Sequence, residues 1–90
     1  MNIDEIETEL LRHLKFIDSF LNEKDLRWKE VRGALNIVKN KNRENYNKIK
    51  NKLFMDYRMI EDHQITVDAE LSLHMDEAWK IAESLEQQKI

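Results

Sequence analysis

The sequence has no cysteine, no proline and one glycine, Gly33. Without cysteine there can be no disulfide framework, no thiolate metal site and no cysteine nucleophile, and a reducing compartment is the expectation. Sheets and long loops need glycine and proline at their turns, so their scarcity points to a few long helices. Any apolar run near the roughly 18 residues that would span a bilayer is also missing. The opening MNIDEIETEL is acidic and amphipathic, unlike a secretory signal with its basic start and continuous apolar run. These absences lead to the expectation of a soluble, cytoplasmic protein with no membrane contact. Glycine-rich phosphate loops are absent, and Ser19, Ser72 and Ser84 stand outside any glycine elbow, so neither an enzyme nor a cofactor is expected. The abundance of Asn, Lys, Ile and Glu matches an AT-rich genome, which makes a bacterial or phage origin the expectation.

Ninety residues suffice for one helical domain, residues 1–90, at the lower edge of what a single core can organise. In the first segment Ile3, Ile6, Leu10, Leu14, Ile17 and Leu21 recur at three- and four-residue steps, the signature of an amphipathic helix. Asn2 with Glu5 three residues on forms a capping-box pattern. Asn22 to Asp25 reads as a tight connection in which Asp25 caps the next helix. The second segment carries Trp28, Val31, Leu35 and Val38, then a polar gap, then Tyr46, Ile49, Leu53, Tyr57 and Ile60. At 100° per residue the two stripes share a face, with Asn42 in the missing position, so the pattern favours one long middle helix ending near Asp62. A break near residues 39–45 is the alternative and would give four helices.

The third segment is ambiguous, because Ile65, Val67, Ala69, Leu71, Leu73 and Met75 alternate with polar residues as in a half-buried strand. A lone strand has nothing to pair with. The same stretch satisfies a helix from about Val67 to Gln88 capped by Thr66, and its Glu, Leu, Ala and Met content favours that reading. The fold class expected is all-α, an antiparallel bundle of three helices with a long middle helix.

Charge is segregated along the chain. Residues 1–25 hold three basic and seven acidic groups, residues 26–53 nine and two, and residues 54–90 three and nine. The run KNKNRENYNKIKNK, within a basic stretch at residues 39–52, offers cations for phosphates, Asn for base edges and Tyr46 for stacking, which is the case for nucleic-acid binding. On a helical wheel, however, Arg32, Lys39, Arg43 and Lys50 border the apolar stripe on one side and Arg27, Lys41, Lys48 and Lys52 on the other. Charges in such positions meet neighbouring helices, so the acidic helices of the same chain or of a second subunit are the simpler partners. Glu7, Glu9 and Asp18 are placed in the complementary way.

His13 lies in the apolar arc of the first helix and reads as a core or interface histidine with a hydrogen-bonded neighbour. His63, at a helix end, suits capping. Glu70, His74 and Glu77 share a side of the last helix but lack the Glu-x-x-His pattern of bundle metal sites, so no metal is expected. Apolar residues off the main stripes, Leu26, Ile37, Phe54, Met55 and Met59, mark a candidate protein interface, and Gly33 would admit a close helix. The function these features suggest is a small non-enzymatic binding or regulatory protein of the inhibitor, immunity or adaptor type. A homodimer and a protein partner are expected. The alternative is a nucleic-acid-binding regulator using the basic middle helix.

Overall fold

A computed structural model describes residues 2–24 and 29–87. They form four α-helices, α1 (Ile3–Glu23), α2 (Glu30–Lys39), α3 (Ile49–Asp62) and α4 (Ala69–Gln87), with a 3-10 turn, Arg43–Lys48, leading into α3. Among the described residues there is no strand, so the alternation at Ile65 to Met75 does not express a sheet. Each helix packs closely against two others around a ring, α1 on α2, α2 on α3, α3 on α4 and α4 on α1, and the side chains of all four meet in the core between them. Asp18 beside Arg32 with Asp4 beside Lys41, the Glu30 amide on Asp56 with Gly33 beside Lys52, and Tyr57 beside Met75 with Lys50 beside Glu83 show that successive helices run antiparallel. No helix among the described residues is long and apolar enough to cross a membrane.

The expected stripes form the core. Leu10, Leu14, Ile17 and Leu21 of α1, Val31, Ala34 and Val38 of α2, Ile49, Leu53 and Ile60 of α3, and Leu71, Ala78, Ala82 and Leu85 of α4 are buried together with Tyr46. Leu35, Tyr57, Met75 and Trp79 pack at its margin, whereas Val67 stays outside, 37% exposed.

The long middle helix is not continuous, which corrects the three-helix reading. α2 ends at Lys39 with Asn40 as its C-cap, and Lys41 turns the chain with a φ of 52°. The Lys41 N–H donates to the Val38 carbonyl and the Asn42 N–H to the Ile37 carbonyl, closing the last turn of α2 in a Schellman motif. Asn42 therefore does not sit in an apolar seam; it is the residue just beyond a helix stop. The same motif ends α3, where His63 is the C-cap, Gln64 has a φ of 54°, and the Ile65 N–H reaches the Ile60 carbonyl at 3.0 Å. Backbone groups alone make both stops, so neither needs the glycine or proline that would announce it.

Helix starts follow local and distant signals. The Asn2 side chain accepts from the Glu5 N–H and caps α1. Asp68, and not Thr66, caps α4 by accepting from the Leu71 N–H. The expected cap at Asp25 lies outside the described residues, as do Leu26, Arg27 and Trp28. α2 has no side-chain cap of its own. Its first amides, of Glu30 and Val31, instead donate to the two carboxylate oxygens of Asp56 on α3, at 3.0 and 2.7 Å. Asp56 is only 2% exposed; burial pushes its carboxyl up from the ordinary range while the two backbone donors pull it back.

Candidate interaction surface

Two of the buried polar side chains, Glu7 and His13, are bound to other polar side chains. Glu7 of α1 is buried and accepts two hydrogen bonds from Arg43, at 3.0 and 3.1 Å, and one from the Tyr46 hydroxyl. The Arg43 guanidinium holds the Glu7 carboxyl below its usual range against the opposing effect of burial, with Tyr46 adding to the same side. Burial, and then the adjacent Glu7 carboxylate, push the Tyr46 phenol up. His13 is buried where α1 meets α4, its Nδ1 2.8 Å from the Nδ1 of His74, and Phe16 stacks on the His74 ring. Glu9 approaches the other nitrogen of His13 at 3.3 Å. Burial draws His13 below its ordinary value, with Arg12 and His74 adding to the effect and Glu9 and Glu77 opposing it. Among the described residues no group of three or more acidic or histidine side chains is arranged to hold a metal ion. His74, grouped in sequence with Glu70 and Glu77, thus spends its Nδ1 on His13.

The basic stretch is largely used within the chain. Lys29 and Arg32 meet Asp18, Lys41 meets Asp4, Arg43 meets Glu7, Lys50 meets Glu83 and Lys52 meets Glu30. Lys50 also lies over the Trp79 ring, 5.5 Å from its centroid. Apart from Lys52 with Glu30, which both belong to the basic middle, the expected pairing of basic middle and acidic flanks is therefore realised between elements of one chain. Glu9 differs, pairing with Arg12 and His13 on its own helix. Gly33 also has an intramolecular neighbour. A methyl group on it would meet the Lys52 side chain at 3.4 to 3.6 Å, so the close approach at this glycine comes from α3.

The off-stripe apolar residues separate into distinct environments. Leu26 is outside the described residues. Ile37 on α2 is partly buried against the core, and so is Met59 on α3. Phe54 and Met55, adjacent on the outer side of α3, are 50% and 49% exposed. Open grooves flank Phe54. One reaches Lys50, Trp79 and Glu86 on the α4 side, and the other runs along Met55, Arg58, Met59 and Asp62. Among the described residues, Phe54 and Met55 thus form an apolar ridge with Met59 at its foot, while the other exposed large apolar residues, Val67 and Leu73, lie apart from it before and on α4.

His13 is the core histidine with a hydrogen-bonded neighbour that the sequence suggested, whereas its partner His74 and the helix-capping role of Asp56 were not found by sequence reasoning, although a signal existed for Asp56. Asp56 falls on the stripe of Ile49, Leu53 and Ile60, and Glu7 on that of Ile3, Leu10 and Leu14. A carboxylate on an apolar stripe must find donors inside the fold, because an unpaired buried charge is costly. Comparison of the chain with protein-family models, curated proteins and solved structures finds no match.

Proposed function

We propose that the chain is a small non-enzymatic binding protein that acts by laying the outer face of α3 on another macromolecule, as an inhibitor, immunity factor or adaptor does. The observation that carries this reading is the Phe54–Met55 ridge. Two large adjacent side chains remain half in water on a helix whose opposite side is fully packed. Such a ridge is the anchor a docking helix offers to an apolar groove. The non-enzymatic part of the reading draws support from the inward-facing polar groups. Among the described residues, Glu7, His13 and Asp56 each spend hydrogen-bonding atoms on partners within the bundle.

Affinity capture from a lysate of the native host, with and without nuclease, tests the reading. The wild-type chain should retain a protein that survives nuclease, and Phe54→Glu and Met55→Glu should each lose it while keeping the wild-type helical spectrum. Capture that depends on intact nucleic acid, unaffected by either substitution, would refute it and favour binding through the cations left outside ion pairs, such as Lys39 and Lys48.

A further inference from the structure

We infer that the occupant of the α3 ridge is a second copy of this chain, its α3 lying antiparallel across a two-fold axis at Met55. The inference rests on the reading of this face as a binding surface. It starts from a conflict inside α3. A helix carries partial positive charge at its N-terminus and partial negative charge at its C-terminus, so acids belong at its start and bases at its end. In α3 both positions are reversed. Lys48 is the N-cap, no acid stands in the first turn, and no base stands in the last turn, which holds Glu61 and Asp62. Among the described residues neither Lys48, Arg58, Glu61 nor Asp62 forms an ion pair, although most cations of the basic stretch do.

The spacing shows what would resolve the conflict. Lys48, Met55 and Asp62 are seven residues apart and so fall near one line along the helix, with Met55 at its middle. All three are exposed. An antiparallel copy centred on Met55 brings its Asp62 against Lys48 and its Lys48 against Asp62, while the Phe54 and Met55 side chains of both copies fill the centre. The helix dipoles then also run in opposite directions. A parallel copy would put lysine on lysine and aspartate on aspartate. A surface that is apolar on the axis and oppositely charged at equal distances either side is complementary to itself, which is the property a two-fold interface requires. One helix face is small, so the dimer should be weak and salt-sensitive, at the lower end of specific interfaces.

Sedimentation equilibrium through the micromolar range tests this on four chains. The wild type should be a reversible dimer whose dissociation constant rises with salt. Lys48→Glu and Asp62→Lys should each weaken it about tenfold, by setting like charges against each other, and the double variant Lys48→Glu/Asp62→Lys should recover wild-type affinity. Both single changes correct the charge at a helix end, so the monomers should melt no lower than wild type, and lost dimer cannot be ascribed to lost fold. A dimer that the double variant does not restore overturns the antiparallel pairing. A monomer at every concentration overturns the second copy. In that case capture by the wild type that Phe54→Glu abolishes leaves the binding reading standing, and capture that Phe54→Glu does not alter removes both.

Discussion

Asp56 anchors the start of a helix to which it does not belong, and removing it has a calculable cost. Its carboxylate takes the Glu30 and Val31 amides at 3.0 and 2.7 Å, in a position almost closed to water. Hydrogen bonds to a charged acceptor contribute about 1.5–3 kcal/mol each. Against them stands the desolvation of the carboxylate, several kcal/mol. Asp56→Ala removes both contributions but leaves two amides of α2 without a partner, at about 1–3 kcal/mol each. The expected loss is thus about 2–6 kcal/mol, a large share of the total of roughly 5–13 kcal/mol for a chain of this length. Asp56→Asn keeps one acceptor and turns an amide donor toward the other N–H, so it should cost about 1–3 kcal/mol. Urea denaturation followed by circular dichroism at neutral pH measures both. A second substitution isolates the cap. Lys29 occupies the N-cap of α2 in an extended conformation, φ −124° and ψ 102°, where serine would bond the following amides itself. Lys29→Ser should return about 1 kcal/mol in the Asp56→Ala background and much less in the wild type. If Asp56→Ala costs under about 0.5 kcal/mol, or if Lys29→Ser acts equally in both backgrounds, the capping argument is wrong.

Further expectations follow from other local features. Lys41 and Gln64 hold left-handed conformations that cost a residue with a Cβ roughly 1 kcal/mol, so Lys41→Gly and Gln64→Gly should each raise the melting temperature by several degrees, additively; a fall in either would show that the side chain contributes more than the backbone strain costs. Gly33→Ala should stabilise α2 by up to about 1 kcal/mol, since the new methyl meets Lys52 at ordinary contact distance; thermal melts would detect the opposite sign if Lys52 cannot yield. The histidine pair predicts a pH dependence. Burial holds the folded pKa of His13 below the ordinary histidine value of 6.5, so the folded state binds fewer protons, and the stability this contributes is present above pH 6.5 and lost as pH falls below it. Denaturation midpoints from pH 7.5 down to pH 5.5 should therefore decline in the wild type and decline less in His13→Asn; equal slopes would remove His13 as the cause.

The sequence made α1 and the core plain because its apolar residues keep one period and Asn2 caps its start. Phe54 and Met55 were legible as surface residues for the converse reason, since they fall off the stripe that Leu53 and Ile60 define. The break after Val38 was hidden. Lys41 takes a conformation normally left to glycine, and the stripes on either side happen to agree in phase, so only the polar gap hinted at it. The region after Ile60 misled in a related way. Ile65 completes the α3 stop, Asp68 caps α4, and Val67 between them is left exposed, which together imitate the alternation of a strand. The start of α2 could not be read locally at all, because the carboxylate that holds its first amides lies 25 and 26 residues further along the chain.

That separation bears on the order of folding. A ten-residue helix is too short to persist alone in water, and α2 cannot acquire its N-terminal partner until α3 has formed and turned back upon it. The intervening Lys41 turn and 3-10 segment bring the two together in a loop short enough to close quickly. α2 and α3 should accordingly appear and disappear as one cooperative unit, with the Glu30 and Val31 amides exchanging with solvent at the rate of the α3 interior instead of fraying as a helix end ordinarily does.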